Sequence, residues 1–225
     1  MIATPHLQAY YRMETGGLDC SGKGNHLTNY GTTFQHGKVG NCADFDGVDD
    51  RMDGGNILNF GEDEWFISFW INPDSTTGTQ GIFGKTIAAG MPCRYFLIYE
   101  NNTIILHYSS NIEKSVPASY TPVGEWTYIE CQFNRNIING FLCLGINLWV
   151  NMEFVIDYNP YVIYYNNNYI TPFPFRIGCY TANNPPTYSP TLFFNGKIDE
   201  FLIYNKRMSD SDRKRIYLGM HPLNG

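Results

Sequence analysis

Charge is scarce in this sequence, and long apolar runs are absent from it. Charged residues make up 16% of the 225 residues, and the formal net charge is −6. An acidic chain without a basic cluster has no electrostatic footprint for nucleic acid or for an anionic membrane. No run approaches the ~20 apolar residues that cross a bilayer. Residues 1–6 also lack the basic start and apolar stretch of a secretory signal. We expect no nucleic-acid partner, no membrane insertion and no signal peptide.

The cysteines form none of the short-spaced motifs that bind metals. The six cysteines include no CxxC pair and no Cys/His cluster, which argues against zinc. Cys42, Cys131, Cys143 and Cys179 lie in apolar runs, where a thiol behaves as a small buried hydrophobe. We therefore expect reduced thiols, which suit a protein made in the cytoplasm.

Aromatic residues, by contrast, are abundant. The chain has 17 Tyr and 15 Phe, a bias that favours strands and can fill a sizeable core. Turn signals such as Gly16-Gly17 and Asn195-Gly196 separate short runs with strand character. These runs are residues 9–13, 43–45, 65–71, 81–85, 95–99, 103–108, 126–133, 141–150, 175–180 and 197–204. The pattern predicts an all-β fold, an antiparallel two-sheet jelly-roll sandwich, as one domain over residues 1–225. Ser209 and Gly219 delimit a predicted short C-terminal helix.

Several motifs, in order along the chain, carry a resemblance to a known family. They are residues 10–14 (YYRME), 19–26 (DCSGKGNH), 37–41 (GKVGN), 45–50 (FDGVDD), 66–73 (FISFWINP), 124–128 (GEWTY), 148–151 (LWVN) and 194–206 (FNGKIDEFLIYNK). Together they resemble the laminin G-like domains of the concanavalin A-like lectin/glucanase superfamily. The resemblance implies a sandwich whose first and last strands are neighbours. Two regions depart from the family, residues 136–145 and residues 158–184, and we expect both to be loops that carry specificity.

The resemblance also implies a structural Ca²⁺ that ties the first turn to the closing strand. Asp19 and Asp199 would supply carboxylates, and Asn25 would supply a neutral oxygen, the ligand type that calcium prefers. In the alternative interpretation, Asp19 caps its own turn and Asp199 pairs with a base such as Lys197 or Arg207. Both interpretations stay open at this stage.

A second acidic cluster lies further along the chain. It consists of Asp46, Asp49 and Asp50. A solvated turn is the favoured interpretation of this cluster, and a ligand set is the alternative.

Paired carboxylates for catalysis are not evident. The glycoside hydrolases of the wider fold place alternate acids of one strand in a groove, in a Glu-x-Asp-x-Glu pattern that this chain lacks. Glu62, Asp63 and Glu64 are consecutive, as are Asp199 and Glu200, and neighbouring residues of a regular strand face opposite sides. No histidine lies near a Gly-x-Ser-x-Gly motif. We expect no enzyme.

The Tyr/Asn-rich stretch is the predicted ligand-binding surface. Tyrosine offers a rigid apolar face with a polar tip, and asparagine offers both a donor and an acceptor. The predicted contacts are Tyr158, Tyr161, Tyr164, Tyr165, Asn167, Tyr169, Tyr180 and Asn184. This composition suits a glycan, but it equally suits a protein interface or a self-packed loop.

These observations lead to a hypothesis about function. We expect a non-catalytic recognition or adhesion module with a lectin-like fold, displayed on a virus or phage particle and facing a glycan or host surface structure. The alternative is a structural accessory protein, such as a capsid or tail decoration protein, that grips neighbouring subunits. A secreted glycan-active enzyme is the third interpretation.

Overall fold

The structure, a computed structural model, describes residues 4–60, 63–85, 95–108, 112–138, 141–156, 161–163, 173–181 and 190–220. The first eight strands are β1 (Leu7–Tyr11), β2 (Thr28–Tyr30), β3 (Thr33–His36), β4 (Asn41–Asp46), β5 (Arg51–Asp53), β6 (Trp65–Pro73), β7 (Gln80–Lys85) and β8 (Tyr95–Glu100). The remaining elements are β9 (Thr103–Tyr108), β10 (Ile112–Pro117), β11 (Thr127–Ile138), β12 (Phe141–Val150), β13 (Glu153–Ile156), β14 (Tyr161–Ile163), β15 (Phe175–Ile177), β16 (Asn195–Tyr204) and helix α1 (Asp210–Tyr217).

Two antiparallel sheets form the sandwich that the sequence predicts. Within the described residues, the larger sheet has nine strands in the order β13-β12-β11-β6-β16-β4-β3, with β1 added to β16 and β14 added to β12. The smaller sheet has seven strands in the order β10-β9-β8-β7-β15-β5-β2. The all-β expectation is confirmed. No helix among these residues is long and apolar enough to span a membrane.

Strand β6 shows how sequence alternation builds the two faces of the larger sheet. Trp65 and Phe69 point into the core between the sheets, where the Trp65 ring stacks on Phe133 with centroids 3.4 Å apart. The alternate residues Phe66 and Trp70 join a second apolar cluster on the outer face. Successive side chains of a strand point to opposite faces, so both faces of the larger sheet are apolar and both need a cover.

Helix α1 covers the outer face. Ser209 is its N-cap and accepts a hydrogen bond from the Asp212 backbone N–H, as the sequence predicts. The buried Arg213 pairs with the fully buried Glu130 at 3.3 Å. Burial raises the pKa of Glu130 to about 7 against the opposing effect of Arg213. Helix α1 is therefore anchored by a buried ion pair as well as by apolar contacts.

Strand β16 lies at the centre of the larger sheet and joins its two halves. One edge of β16 pairs with β6, and the other edge pairs first with β4 and then with β1. A bulge falls between Asp199 and Leu202, and Glu200 takes a left-handed φ of 50°. The pairing of Leu7 with Tyr204 confirms that the first and last strands are neighbours.

The expectation that residues 136–145 form a loop is wrong. Strands β11 and β12 extend through this region as one long hairpin, with Asn136 opposite Cys143 and Ile138 opposite Phe141. Backbone pairing thus continues as far as Ile138 and Phe141. The second departure, residues 158–184, contains β14 and β15, so it is not a loop throughout.

Candidate functional site

The carboxylate of Asp19 caps its own turn. Its Oδ1 accepts hydrogen bonds from the backbone N–H groups of Tyr10 and Ser21. Its Oδ2 accepts from the Ser21 hydroxyl and from the Asn25 backbone N–H. Asp19 is 5% exposed, and these four donors point their hydrogens at its lone pairs.

The other two predicted metal ligands are also engaged. The side-chain Nδ2 of Asn25 donates a hydrogen bond to the backbone carbonyl of Gln8. The backbone carbonyl of Asn25 accepts one from the Tyr11 hydroxyl. Asp199 Oδ2 accepts the Val39 backbone N–H at 2.9 Å. Calcium needs oxygen lone pairs, whereas Asp19 is surrounded by donors. The four donors around Asp19 fit the turn-cap interpretation of this residue, and the calcium set of Asp19, Asn25 and Asp199 stays a prediction.

Asp199 and Glu200 lie on the same face of the larger sheet, because the bulge in β16 breaks the alternation on which the sequence argument relied. Asp199 lies beside Val39, and burial, together with the charge of the neighbouring Asp199, raises the pKa of Cys42. Glu200 accepts a hydrogen bond from the Tyr10 hydroxyl. Burial raises the pKa of Asp199 to about 7, and the Val39 hydrogen bond opposes this. Lys197 instead contacts Asp74 at 2.8 Å, so it does not serve as the predicted base for Asp199.

The second acidic cluster forms a tight turn. One carboxylate oxygen of each of Asp46, Asp49 and Asp50 lies within 4.8 Å of the others. Asp46 Oδ1 accepts the backbone N–H groups of Val48 and Asp49, and these bonds lower the pKa of Asp46. Asp50 Oδ2 accepts the Asp46 N–H. These bonds within the turn account for the clustering without an ion.

Most of the predicted ligand contacts lie outside the described residues. This applies to Tyr158, Tyr164, Tyr165, Asn167, Tyr169 and Asn184. Tyr161 lies in β14, and its backbone pairs with Leu144. Tyr180 is half-buried, packs edge-on against Phe96 at 4.9 Å and pairs with Thr191 through its backbone. The binding role of this set remains a prediction.

The structure also contains a polar cleft that the sequence analysis missed. It lies where the β4–β5 turn, the β6–β7 loop and the segment before β16 meet, and its volume is about 390 Å³. We call it the loop-end cleft. Its lining residues are Asp46, Gly47, Ser75, Thr77, Thr79, Gln80, Leu192, Phe193 and Asn195. These residues come from three distant parts of the chain. Each part has the sequence of an ordinary turn, so none of them predicts a cleft.

Gln80 joins two of the three segments of the loop-end cleft, the β6–β7 loop and the start of β16. Its side-chain Nε2 donates to the carbonyls of Ser75 and Thr77, and its Oε1 accepts the Asn195 backbone N–H at 3.0 Å. Gln80 is buried, so its three bonds form in a partly dry environment where they are strong. Its side chain therefore preorganises the cleft.

Backbone constraints mark the rim of the loop-end cleft. Gly47 has a φ of 77° and packs so closely on Asn195 that a Cβ would lie 2.8 Å from the Asn195 Cβ. Leu192 takes a φ of 53°, which is uncommon for a bulky residue, and its side chain is exposed. Residues in such sparsely populated conformations cluster at binding sites.

Most polar side chains that line the loop-end cleft carry hydroxyl or amide groups rather than ionisable groups. Hydroxyls from Ser75, Thr77 and Thr79 and the amide of Asn195 supply both donors and acceptors. Among the described lining residues, Asp46 carries the only carboxylate. Glycoside hydrolysis by the usual route needs two carboxylates across the scissile bond.

Known proteins share the fold of this chain. The sequence profile of the concanavalin A-like lectin/glucanases superfamily matches residues 46–212. Among proteins with curated functions, none matches the chain by sequence. Domain 4 of AbnA, a GH43 extracellular arabinanase from Geobacillus stearothermophilus solved in complex with arabinotriose, is similar with 19% identity and a TM-score of 0.62. The alignment covers 92% of this chain and 96% of that domain.

Botulinum neurotoxins supply further similar structures. One, from a study of type C cell entry through interaction with two ganglioside molecules, has 14% identity and a TM-score of 0.66, over 97% of this chain and 52% of that chain. Another is the type DC binding domain in complex with rat synaptotagmin II, with 12% identity and a TM-score of 0.61, over 97% of this chain and 53% of that chain. The present chain thus spans about half of each neurotoxin chain but nearly all of the arabinanase domain.

Proposed function

The chain belongs to the concanavalin A-like lectin/glucanases superfamily, and from this premise we propose that it is a non-catalytic recognition module that binds an oligosaccharide in the loop-end cleft. The observation that carries the proposal is the cleft itself, a concave polar site built by three loops and held in shape by Gln80. Its volume of about 390 Å³ falls within the usual range of small-molecule sites.

The lining of the cleft matches the chemistry of a sugar. A sugar ring presents hydroxyls, which accept and donate hydrogen bonds, around an apolar C–H face. The Asn195 amide and the threonine hydroxyls suit the hydroxyls, and the exposed Leu192 side chain suits the C–H face. The similar arabinanase domain, almost all of which aligns with this chain, was solved with a trisaccharide, and this supports the same ligand class.

Screening on a glycan array followed by calorimetry tests the proposal. We expect the native protein to bind at least one oligosaccharide, and we expect Asn195→Ala to weaken that binding about tenfold, since it deletes a donor and an acceptor. Asn205→Ala is the matched control, because Asn205 lies beyond the end of β16 and bonds His6 instead. Equal binding by both variants would place the ligand elsewhere, and no binding by the native protein would reject the glycan proposal.

The Tyr/Asn-rich stretch provides a second arm of the same experiment. If the stretch contacts the glycan and the loop-end cleft does not, Tyr164→Ala combined with Tyr165→Ala weakens binding while Asn195→Ala does not. Loss in both variants would indicate one extended site. Retention in the tyrosine variant would restrict recognition to the loop-end cleft.

Display on a larger assembly, such as a virus or phage particle, is the wider setting that we propose for this recognition. A second candidate is a protein partner, which is favoured by the similar neurotoxin domain bound to synaptotagmin II. Affinity purification from the natural source, followed by mass spectrometry with and without competing oligosaccharide, separates the two. Co-purifying structural subunits that resist the sugar would support a structural accessory role.

A further inference from the structure

A second cavity lies on the outer face of the larger sheet, beside the C-terminal end of α1. We call it the helix-edge pocket. Its volume is about 220 Å³, and it is bounded by the β3–β4 turn, by the outer face of β6, β11 and β16, and by the residues after Ile216. Its lining residues are Lys38, Val39, Trp70, Tyr128, Glu200, Leu202, Ile216, Tyr217, Leu218 and Gly219. The loop-end cleft shares none of these residues.

Three aromatic rings form one wall of the helix-edge pocket. The ring centroids of Trp70 and Tyr217 lie 5.6 Å apart, and those of Trp70 and Tyr128 lie 5.1 Å apart. Tyr128 and Tyr217 meet edge-to-face at 5.2 Å. Aromatic faces carry partial negative charge, so the three rings attract a cation without being ionised.

A cation of the protein already occupies one of these faces. The ammonium nitrogen of Lys38 lies 4.2 Å from the centroid of the Trp70 ring. Lys38 is exposed and comes from the turn between β3 and β4. An exposed contact of this type is weak, so a ligand with better access to the rings can displace it.

The lining of the helix-edge pocket also includes a buried carboxylate. Glu200 lines the cavity and is 4% exposed. It accepts the Tyr10 hydroxyl, and its Oε1 lies 4.0 Å from Arg12 Nε. The bulge in β16 brings Glu200 to this outer face. The pocket therefore combines aromatic faces, an acidic wall and an apolar floor that includes Leu202 and Ile216.

We propose that the helix-edge pocket binds a small organic ammonium ion, whose place over Trp70 is held by the tethered ammonium of Lys38 in the absence of ligand. Aromatic faces with a nearby acid recognise primary and quaternary ammonium groups, because cation–π attraction and charge act together. The apolar floor favours an ion that carries carbon substituents over an inorganic one. This activity is independent of the loop-end cleft and of the proposed function.

Ligand-observed NMR with choline as the probe tests the proposal, with the neutral isostere 3,3-dimethylbutan-1-ol measured beside it. We expect choline to bind and the isostere to bind at least about fivefold more weakly, because only choline carries the charge. Lys38→Met removes the tethered competitor, so choline should bind about two- to fivefold more tightly. Lys23→Met is the matched control, since Lys23 is another exposed lysine on a turn and does not line the pocket. Its affinity should equal that of the native protein.

The remaining outcomes decide against the proposal. Equal affinities for choline and its isostere would show that the pocket binds the apolar part of the ligand and does not recognise the charge. Lack of choline binding by both the native protein and Lys38→Met would overturn the proposal outright, since Lys38 is exposed and this variant is expected to fold. Trp70→Leu, checked for folding by circular dichroism, should lose the binding. If a folded Trp70→Leu kept it, the ion would bind elsewhere.

Discussion

Replacing Asp199 by asparagine should change how the stability of the protein depends on pH. Asp199 is fully buried, and burial raises its pKa to about 7, from about 3.9 in an unfolded chain. Between these values the folded state binds more protons than the unfolded state. The contribution of Asp199 to the free energy of unfolding is therefore greatest at acid pH and falls as the pH rises from about 4 to 7.

The size of the effect follows from the two pKa values. A difference of about three pKa units, at 1.36 kcal/mol each, corresponds to roughly 4 kcal/mol. Asp199→Asn removes this titration but leaves an oxygen to accept the Val39 N–H. Relative to the native protein, the variant should gain roughly 4 kcal/mol between pH 4 and pH 8. Glu130, whose pKa burial also raises, is present in both proteins and cancels from the difference.

Urea denaturation at intervals from pH 4 to pH 8.5 measures this difference directly. Asp46→Asn serves as the control, because hydrogen bonds lower the pKa of Asp46, so that this group titrates mainly below pH 4 and its difference curve should be nearly flat over this range. Parallel stability curves for the native protein and Asp199→Asn would refute the reasoning, since they would mean that Asp199 is not desolvated in the folded state.

Three further predictions concern stability. Arg213→Ala should lower the free energy of unfolding, measured by urea denaturation, by about 3–5 kcal/mol, because it leaves Glu130 buried without its partner. Adding Glu130→Gln to this variant should recover part of the loss. Equal destabilisation of the single and the double variant would count against the ion pair. Gly37→Ala places a Cβ 2.7 Å from Asp199 Oδ2 and should cost about 1–3 kcal/mol, so an unchanged melting temperature would contradict the close packing. Calorimetry with calcium and with chelator tests the predicted calcium site: because hydrogen-bond donors already surround Asp19, we expect the same melting temperature, and stabilisation by calcium would support the site.

The long strands that bury a face were predictable from the sequence, whereas the short, exposed edge strands β2 and β3 were not. Successive side chains of β6 contribute alternately to the two apolar clusters, and its aromatic residues predict a strand from the sequence. Strands β2 and β3 are short and almost wholly exposed at sheet edges, so no apolar alternation marks them. Their position depends on backbone pairing with β5 and β4, which carries no signal in side-chain polarity.

The candidate sites were less predictable than the fold, because tertiary pairing creates them. Asp199 and Glu200 share a face because a bulge falls where β16 changes its pairing partner from β4 to β1. No local sequence pattern predicts this change of partner. Asp46, Ser75 and Asn195 meet in the loop-end cleft although about 150 residues separate the first from the last. Each of these turns is recognisable in the sequence, but no local pattern indicates that the three meet.

The central place of β16 has a consequence for synthesis on the ribosome. Until residues 195–204 emerge, β1, the β3–β4 hairpin and the group of β6, β11, β12 and β13 have no strand to connect them. These parts expose apolar faces and open edges during most of translation, and such surfaces are prone to aggregation. Closure of the larger sheet is therefore a late event that pairs residues nearly 200 positions apart, and a nascent chain stalled before β16 would depend on chaperones.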